Sequence, residues 1–110
     1  MVTPTPPLLR RPNDPPLLLL TSLASGPKHG YALLKDVEGF AGVTLSPGTL
    51  YGALTRLEEQ GLIEPVASDE RRRPYRITAS GVAALREVTN EMRRLAKVSA
   101  ARLRLVGGVA

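Results

Sequence analysis

The stretch SPGTLYGALTRLEEQGL constrains the fold most, because it specifies both where a helix begins and where it ends. Ser46 fits the N-cap position, and Pro47 fits the first helical position, where a missing backbone N–H costs nothing. Gly61 stands where a left-handed residue commonly ends a helix, and Leu62 can then pack back against the last turn. The stretch therefore predicts a helix over 47–60.

This predicted helix has one apolar face and one face of small and polar residues. Helical spacing predicts a buried stripe of Leu50, Leu54 and Leu57. The opposite surface is expected to carry Thr49, Gly52, Ala53 and Arg56. Gly48 and Gly52 each cost about 1 kcal/mol of helix stability relative to alanine, so they indicate either close packing on the preceding helix or a slim surface that approaches another molecule. Tyr51 fits a core position or that same surface.

Two more helices are predicted before this one. The first covers 14–25, where Asp-Pro-Pro opens a run of leucines and a Gly-Pro pair stops it. The second is short, and its apolar face is expected to carry Tyr31, Leu34 and Val37. Gly39 is expected to close it. His29, just before it, is most simply a polar residue without a second metal ligand.

Two extended runs, LIEPVA and RPYRIT, predict a β-hairpin joined by the polar connector 68–72. Pro65 cannot donate to a ladder, so its strand is expected at an edge. Strand alternation directs Tyr75 and Ile77 inward and Arg76 outward.

The hairpin carries the densest positive charge of the chain, in Arg71, Arg72, Arg73 and Arg76. Such a run is usually a solvated face, but at the tip of a hairpin beside a DNA-binding helix its arginines can reach phosphates or the minor groove. Ser46 and the free N–H groups of the first turn after it form a further candidate phosphate site.

A long helix is predicted from Thr78, its N-cap, to about 106. It carries apolar residues at heptad spacing, Leu85, Val88, Met92 and Leu95, with Leu103 further along. At ~1.5 Å per residue it is about 40 Å long, so it projects beyond a compact domain and its stripe calls for a partner. We expect that partner to be a second copy of the chain, with Leu17 and Leu18 joining the interface. The alternative is a monomer in which the helix folds back on its own domain.

The predicted fold class is mainly α with a small β-hairpin. Three helices followed by a hairpin and a further helix is the order of a winged helix-turn-helix, here with a long C-terminal dimerisation helix. The predicted parts are a flexible, proline-rich basic arm over 1–13, the winged domain over 14–78, the dimerisation helix over 79–106 and a flexible tail over 107–110.

The composition restricts the classes of function. Fifteen Lys and Arg against ten Asp and Glu give a formal net charge of +5, which favours a polyanionic partner. With only three Tyr and one Phe, duplex DNA is a better candidate than stacked single strands. A chain with one His and no Cys offers neither a metal site nor a catalytic set, so we expect no metal, no cofactor and no enzyme activity. No stretch approaches the ~20 apolar residues of a membrane span, and we expect a cytoplasmic protein.

The segments GPKHGYALLKDVE, LSPGTLYGALTRLEEQGLIE and RRRPYRITASG resemble the PadR family of bacterial transcriptional regulators over nearly all of 14–95. The resemblance implies a winged-helix homodimer that binds palindromic double-stranded operator DNA, usually as a repressor released by a small molecule or a cellular signal. Some members bind flat aromatic molecules between tryptophans at the dimer interface, whereas this chain has no tryptophan.

The resemblance also implies which residues face DNA. Together with Ser46 and Gly52, the expected DNA-binding set is Tyr31, Thr49, Tyr51, Arg56, Arg71, Arg72 and Arg73. An alternative function is a protein-interaction adaptor, in which the wing and the long helix bind acidic or helical partners without specific DNA binding.

Overall fold

The computed structural model describes residues 14–68 and 73–106 of the chain. It contains, in order, the elements α1 (Pro15–Leu23), α2 (Gly30–Ala41), α3 (Pro47–Glu59), β1 (Ile63–Pro65), β2 (Tyr75–Ile77) and α4 (Ala79–Leu103). This is the predicted mainly helical winged fold with a two-stranded antiparallel hairpin. The predicted arm, the predicted tail and the connector residues 69–72 lie outside the described residues.

Helix α1 forms the centre of the core. It packs against α2, α3, α4 and β2, so its leucines are covered on every side. Leu17 and Leu18, predicted at a dimer interface, are only 3% and 6% exposed. That prediction was wrong, because both side chains are used inside a single chain and offer almost no surface to a partner.

The turn between α1 and α2 ties α2 to the hairpin. The buried Ser22 hydroxyl donates to Asp36 Oδ2 at 2.6 Å, which joins the end of α1 to α2. The Lys28 backbone exchanges two hydrogen bonds with Tyr75, of 3.1 and 2.9 Å. β2 therefore lies between β1 and Lys28, and Pro65 occupies an edge strand as predicted.

Helix α2 is longer than predicted, and of its predicted apolar face Val37 is buried and Leu34 packs against the core. Gly39 lies within the helix, which ends at Gly42 in the left-handed conformation with φ 66°. The Gly42 N–H donates to the Glu38 carbonyl, so Gly42 is the closing residue that we assigned to Gly39. The buried side chains are Leu33 and Val37, while Tyr31 lies on the exposed side.

Helix α3 has the ends that the sequence predicts. The Ser46 Oγ accepts from the Thr49 N–H at 3.2 Å. At the other end Gly61 has φ 73°, and the Leu62 N–H donates to the Leu57 carbonyl at 3.0 Å. These are the N-cap and the Schellman motif of the prediction.

Helix α4 begins against the α3–β1 turn. Thr78 Oγ1 accepts from the Gly81 N–H at 3.0 Å and donates to the Gly61 carbonyl at 2.6 Å. A Cβ added to Gly81 would lie well inside van der Waals contact of the Leu62 carbonyl oxygen. Only glycine lets the helix approach the turn this closely.

Only the first part of α4 packs on the domain. Gly81, Ala84 and Val88 are buried, whereas every residue of α4 from Asn90 onward is exposed. Val88, 4% exposed, belongs to the core, which corrects its assignment to a dimer interface. No helix in the described ranges is both long and apolar enough to cross a membrane.

Candidate nucleic-acid interface

The exposed face of α3 is the first part of the candidate interface. Leu50, Leu54 and Leu57 are buried as predicted, and Thr49, Gly52 and Arg56 are exposed. Ala53 was wrongly placed on the exposed face, since it is completely buried. Arg56 has no ion-pair partner among the described residues, so its guanidinium is available to a ligand.

Gly48 and Gly52 are not packing residues. A Cβ on either would meet no atom within 4 Å, which removes close packing on α2 as the reason for them. The close contact between these helices lies at Gly30, where an added Cβ would be 2.9 Å from Tyr51 Oη. The two α3 glycines instead leave the exposed face without side-chain bulk.

Two tyrosines flank this face, one from each helix. Tyr31 and Tyr51 are 59% and 57% exposed, which excludes the core position considered for Tyr51. Lys35 lies one turn after Tyr31, with its ammonium 5.7 Å from the ring centroid. This cation–π contact adds a positive charge beside the tyrosine. The spacing of four residues along a helix was the signal from which Lys35 could have been found.

Ser46 and Thr49 are already hydrogen-bonded to each other. The Ser46 hydroxyl accepts from the Thr49 N–H and donates to Thr49 Oγ1 at 2.9 Å. Ser46 thus acts as the helix cap, and the hydroxyl hydrogen of Thr49 is the one left to point outward.

A cavity of about 500 Å³ lies between the beginnings of α2 and α3 and the hairpin. Its walls combine apolar and polar side chains and bring together three tyrosines, a histidine and an arginine. The lining residues are His29, Gly30, Tyr31, Leu34, Pro47, Leu50, Tyr51, Arg73 and Tyr75. None of these described lining residues carries a carboxylate.

Tyr75 is a neutral hydrogen-bond donor in this cavity. Burial, reinforced by the Glu58 carboxylate and by Tyr51, raises its pKa above the ordinary value, and Arg73 opposes the shift in part. The phenol therefore keeps its proton at neutral pH. The predicted inward orientation of Tyr75 is confirmed by its partial burial, but its place in the candidate site was missed.

The hairpin arginines differ in their availability. Arg73 is exposed and lines the cavity. Arg76 donates through Nε to Glu64 Oε1 at 2.7 Å, so its charge is partly balanced across the two strands. Arg71 and Arg72 lie outside the described residues.

The remaining predicted dimer residues form a stripe that extends beyond the domain. Leu85 is partly buried against the core, whereas Met92, Leu95 and Leu103 are exposed. Further exposed apolar residues of this region are Val98, Leu105 and Val106.

The profile described as "Transcriptional regulator PadR-like family" matches residues 19–87. A transcriptional regulator of Mycobacterium tuberculosis is 38% identical over 84 residues, covering 74% of this chain and 78% of that protein. The crystal structure of a PadR family transcription regulator from a hypervirulent Clostridium difficile is 30% identical, with a TM-score of 0.72, covering 81% of this chain and 97% of that one.

A longer protein also matches. An uncharacterised 37.1 kDa protein of transposon TN4556 in Streptomyces fradiae is 44% identical over 85 residues. The match covers 77% of this chain and 25% of the transposon protein, so the chain spans about a quarter of that relative.

Proposed function

Because the chain belongs to the PadR-like family of transcriptional regulators, we propose that it acts as a homodimeric repressor that binds a palindromic operator. In this proposal α3 enters the major groove, the hairpin contacts the flanking backbone, and α4 joins the two protomers. A small molecule or a cellular signal releases the complex.

The observation that carries the proposal is the shape of α3. One face is buried in the core by its leucines, and the opposite face is slim at Gly48 and Gly52, with Arg56 exposed and unpaired among the described residues. A helix without bulk on its outer face can approach base edges closely, and an arginine at its margin can donate two hydrogen bonds to guanine.

The charge distribution supports different roles for α3 and the hairpin in DNA binding. The span 14–68 is net acidic: its basic residues are Lys28, Lys35 and Arg56, against Asp14, Asp36, Glu38, Glu58, Glu59 and Glu64. The span 69–78 holds four arginines and two acidic residues. Within the winged domain, attraction to the phosphate backbone thus depends on the hairpin, while α3 supplies sequence recognition.

The exposed part of α4 supports the homodimer. Beyond Asn90 its apolar stripe of Met92, Leu95 and Leu103 is uncovered. An uncovered stripe at near-heptad spacing is typical of a helix that pairs with another helix. Two-fold pairing would present two recognition helices to successive major grooves, ~34 Å apart.

A second cavity supports control by a small molecule. It has a volume of about 350 Å³ and lies where α4 leaves the domain, with Ile77, Val82 and Leu85 beside Arg86 and Arg93. A ligand in this position would contact both β2 and α4, so it could alter the angle at which the two domains of a dimer are held.

The experiment that tests DNA recognition compares Arg56→Ala with the parent by fluorescence anisotropy on operator and random duplexes. The operator is first selected from genomic fragments of the source organism. Loss of a base contact should weaken operator binding by about 1–3 kcal/mol and leave random-duplex binding nearly unchanged. Lys97→Ala is the matched control, since it removes one exposed charge from α4.

Two outcomes would contradict the proposal. Equal operator affinity for Arg56→Ala and the parent would remove Arg56 from the recognition surface. Complexes that disappear entirely when non-specific competitor DNA is added would favour the protein-interaction adaptor instead.

A further inference from the structure

The cavity between α2, α3 and the hairpin is rich in hydrogen-bond donors. It is lined by the hydroxyl-bearing side chains of Tyr31, Tyr51 and Tyr75 and by the Arg73 side chain. The raised pKa of Tyr75 keeps its phenol protonated. Donors that converge on one space, with no carboxylate among its described lining residues, favour an anionic ligand.

The beginning of α2 adds backbone donors to the same space. Its N-cap residue, His29, makes no side-chain capping hydrogen bond, and Gly30 lines the cavity. The first N–H groups of a helix have no partner within the helix, and the helix dipole adds partial positive charge there. At α3 and α4, by contrast, Ser46 and Thr78 accept such a bond.

The imidazole of His29, which lines the cavity, has a buried nitrogen without a hydrogen-bond partner among the described residues. This nitrogen is Nδ1, which is shut off from solvent. A proton on Nδ1 would be a buried and unpaired donor, which is costly. The geometry therefore favours the tautomer that carries its proton on Nε2, and His29 is among the residues that line the cavity.

We propose that this cavity seats one phosphodiester group of the DNA backbone and that His29 donates to it through Nε2–H as a neutral ligand. The inference rests on the proposed DNA binding and adds to it His29, which the sequence predicted only as a polar residue before α2. Phosphate is the anion chosen because DNA presents it beside a groove-bound helix, and both α3 and the hairpin border the cavity.

The salt dependence of DNA binding distinguishes a neutral hydrogen-bond donor from an arginine. Salt dependence of DNA binding reports the counterions released when protein cations neutralise phosphates, with a slope of about 0.9 per neutralised phosphate. Loss of a neutral hydrogen bond lowers affinity and leaves this slope unchanged. Loss of Arg73 should lower both.

The binding test therefore compares three variants at several salt concentrations. His29→Leu should weaken binding to operator and random duplexes alike, by about tenfold or more, with an unchanged salt slope. His29→Gln, whose amide can occupy the place of Nε2–H, should recover most of the affinity. Arg73→Ala should reduce the slope, and thermal unfolding of each variant checks that the fold is retained.

The phosphate can be located with duplexes that carry a single neutral methylphosphonate at each backbone position in turn. One position should weaken binding of the parent but not of His29→Leu, which is the non-additivity expected of two groups in contact. If the parent binds DNA and no position couples to residue 29, the phosphate site is refuted while the proposed function stands. If the parent does not bind duplex DNA, the proposed function itself fails.

His29 is the only histidine of the chain, so its ring signals in a ¹⁵N–¹H spectrum are unambiguous. At mildly alkaline pH the spectrum should show the Nε2–H tautomer, and the signal should shift when duplex is added. An Nδ1–H tautomer, or no shift with DNA, would overturn the proposal. A shift with inorganic phosphate but no coupling to any phosphodiester would assign the cavity to a free anion and would equally overturn it.

Discussion

At the scale of single residues, Gly52 and Gly81 show how differently two helical glycines can be used. A Cβ on Gly52 would meet open space, whereas a Cβ on Gly81 would collide with the Leu62 carbonyl. That carbonyl also accepts the Thr78 N–H at 3.1 Å, so it cannot move away freely. Gly52 keeps the exposed face of α3 free of side-chain bulk, and Gly81 allows α4 to approach the turn at Leu62.

Stability measurements should separate these two roles. Gly81→Ala should lower the free energy of unfolding by about 1–3 kcal/mol, because overpacking against backbone outweighs the better helix propensity of alanine. Gly52→Ala should raise it by up to about 1 kcal/mol, since the position is exposed and unstrained. Chemical denaturation of both variants gives the comparison, and equal effects would mean that the approach of α4 to Leu62 is looser than described.

The surface role of Gly52 has its own test in DNA binding. Gly52→Leu should keep the fold, because the position is exposed and no described atom lies within 4 Å of a Cβ added there, and should abolish specific operator binding by holding α3 away from the groove. Anisotropy with operator DNA measures the loss, and circular dichroism checks the fold. An unfolded Gly52→Leu variant, or one with parental affinity, would contradict this use of the glycine.

At the scale of elements, capping side chains fix where α3 and α4 begin, and α4 is divided into a part that packs on the domain and a part that is exposed. The side chains of Ser46 and Thr78 cap α3 and α4. Thr78 also joins α4 to the Gly61 carbonyl, which belongs to the turn that ends α3. The residue that caps α4 is therefore hydrogen-bonded to the turn that ends α3. The angle at which α4 leaves the domain depends on this hydrogen bond.

Loss of this cap should be measurable. Thr78→Ala removes the acceptor for Gly81 N–H and the donor to Gly61 and should cost about 1–2 kcal/mol of unfolding free energy. Thr55→Ala is the matched control, because the one bond of Thr55 Oγ1 among the described residues is its donation to the Tyr51 carbonyl of its own exposed helix face. In thermal unfolding the control should change little. Comparable losses in both variants would refute a special role for the cap.

At the scale of the whole molecule, one chain leaves the outer half of its longest helix exposed. The apolar stripe of α4 begins in the core at Val88 and continues uncovered through Leu95 to Leu103. This division fits a helix whose first part packs on its own domain and whose second part packs on a partner.

The proposed dimer can be tested on this outer part. Leu95→Glu should give a monomer in sedimentation experiments at micromolar concentration, because a buried charge would oppose helix pairing. The winged domain should stay folded, since residues beyond 90 are exposed. Ala101→Glu adds the same charge at an exposed position away from the stripe and should leave the dimer intact. A parent that sediments as a monomer would exclude the homodimer.

The sequence by itself determined the parts of the fold that depend on near neighbours. The ends of α3, its leucine stripe and the cap of α4 follow from hydrogen bonds and spacings within a few residues, and the structure confirms each of them. Only the tertiary structure decided which apolar residues are buried in the core of a single chain, as Leu17 and Leu18 are. It also distinguished glycines facing open space from Gly30 and Gly81, and it gathered His29, Arg73 and Tyr75 around one cavity. These features depend on residues far apart in the chain. The burial of a side chain and the close approach of two helices are set by the elements that pack against them, and a local sequence pattern does not specify those elements.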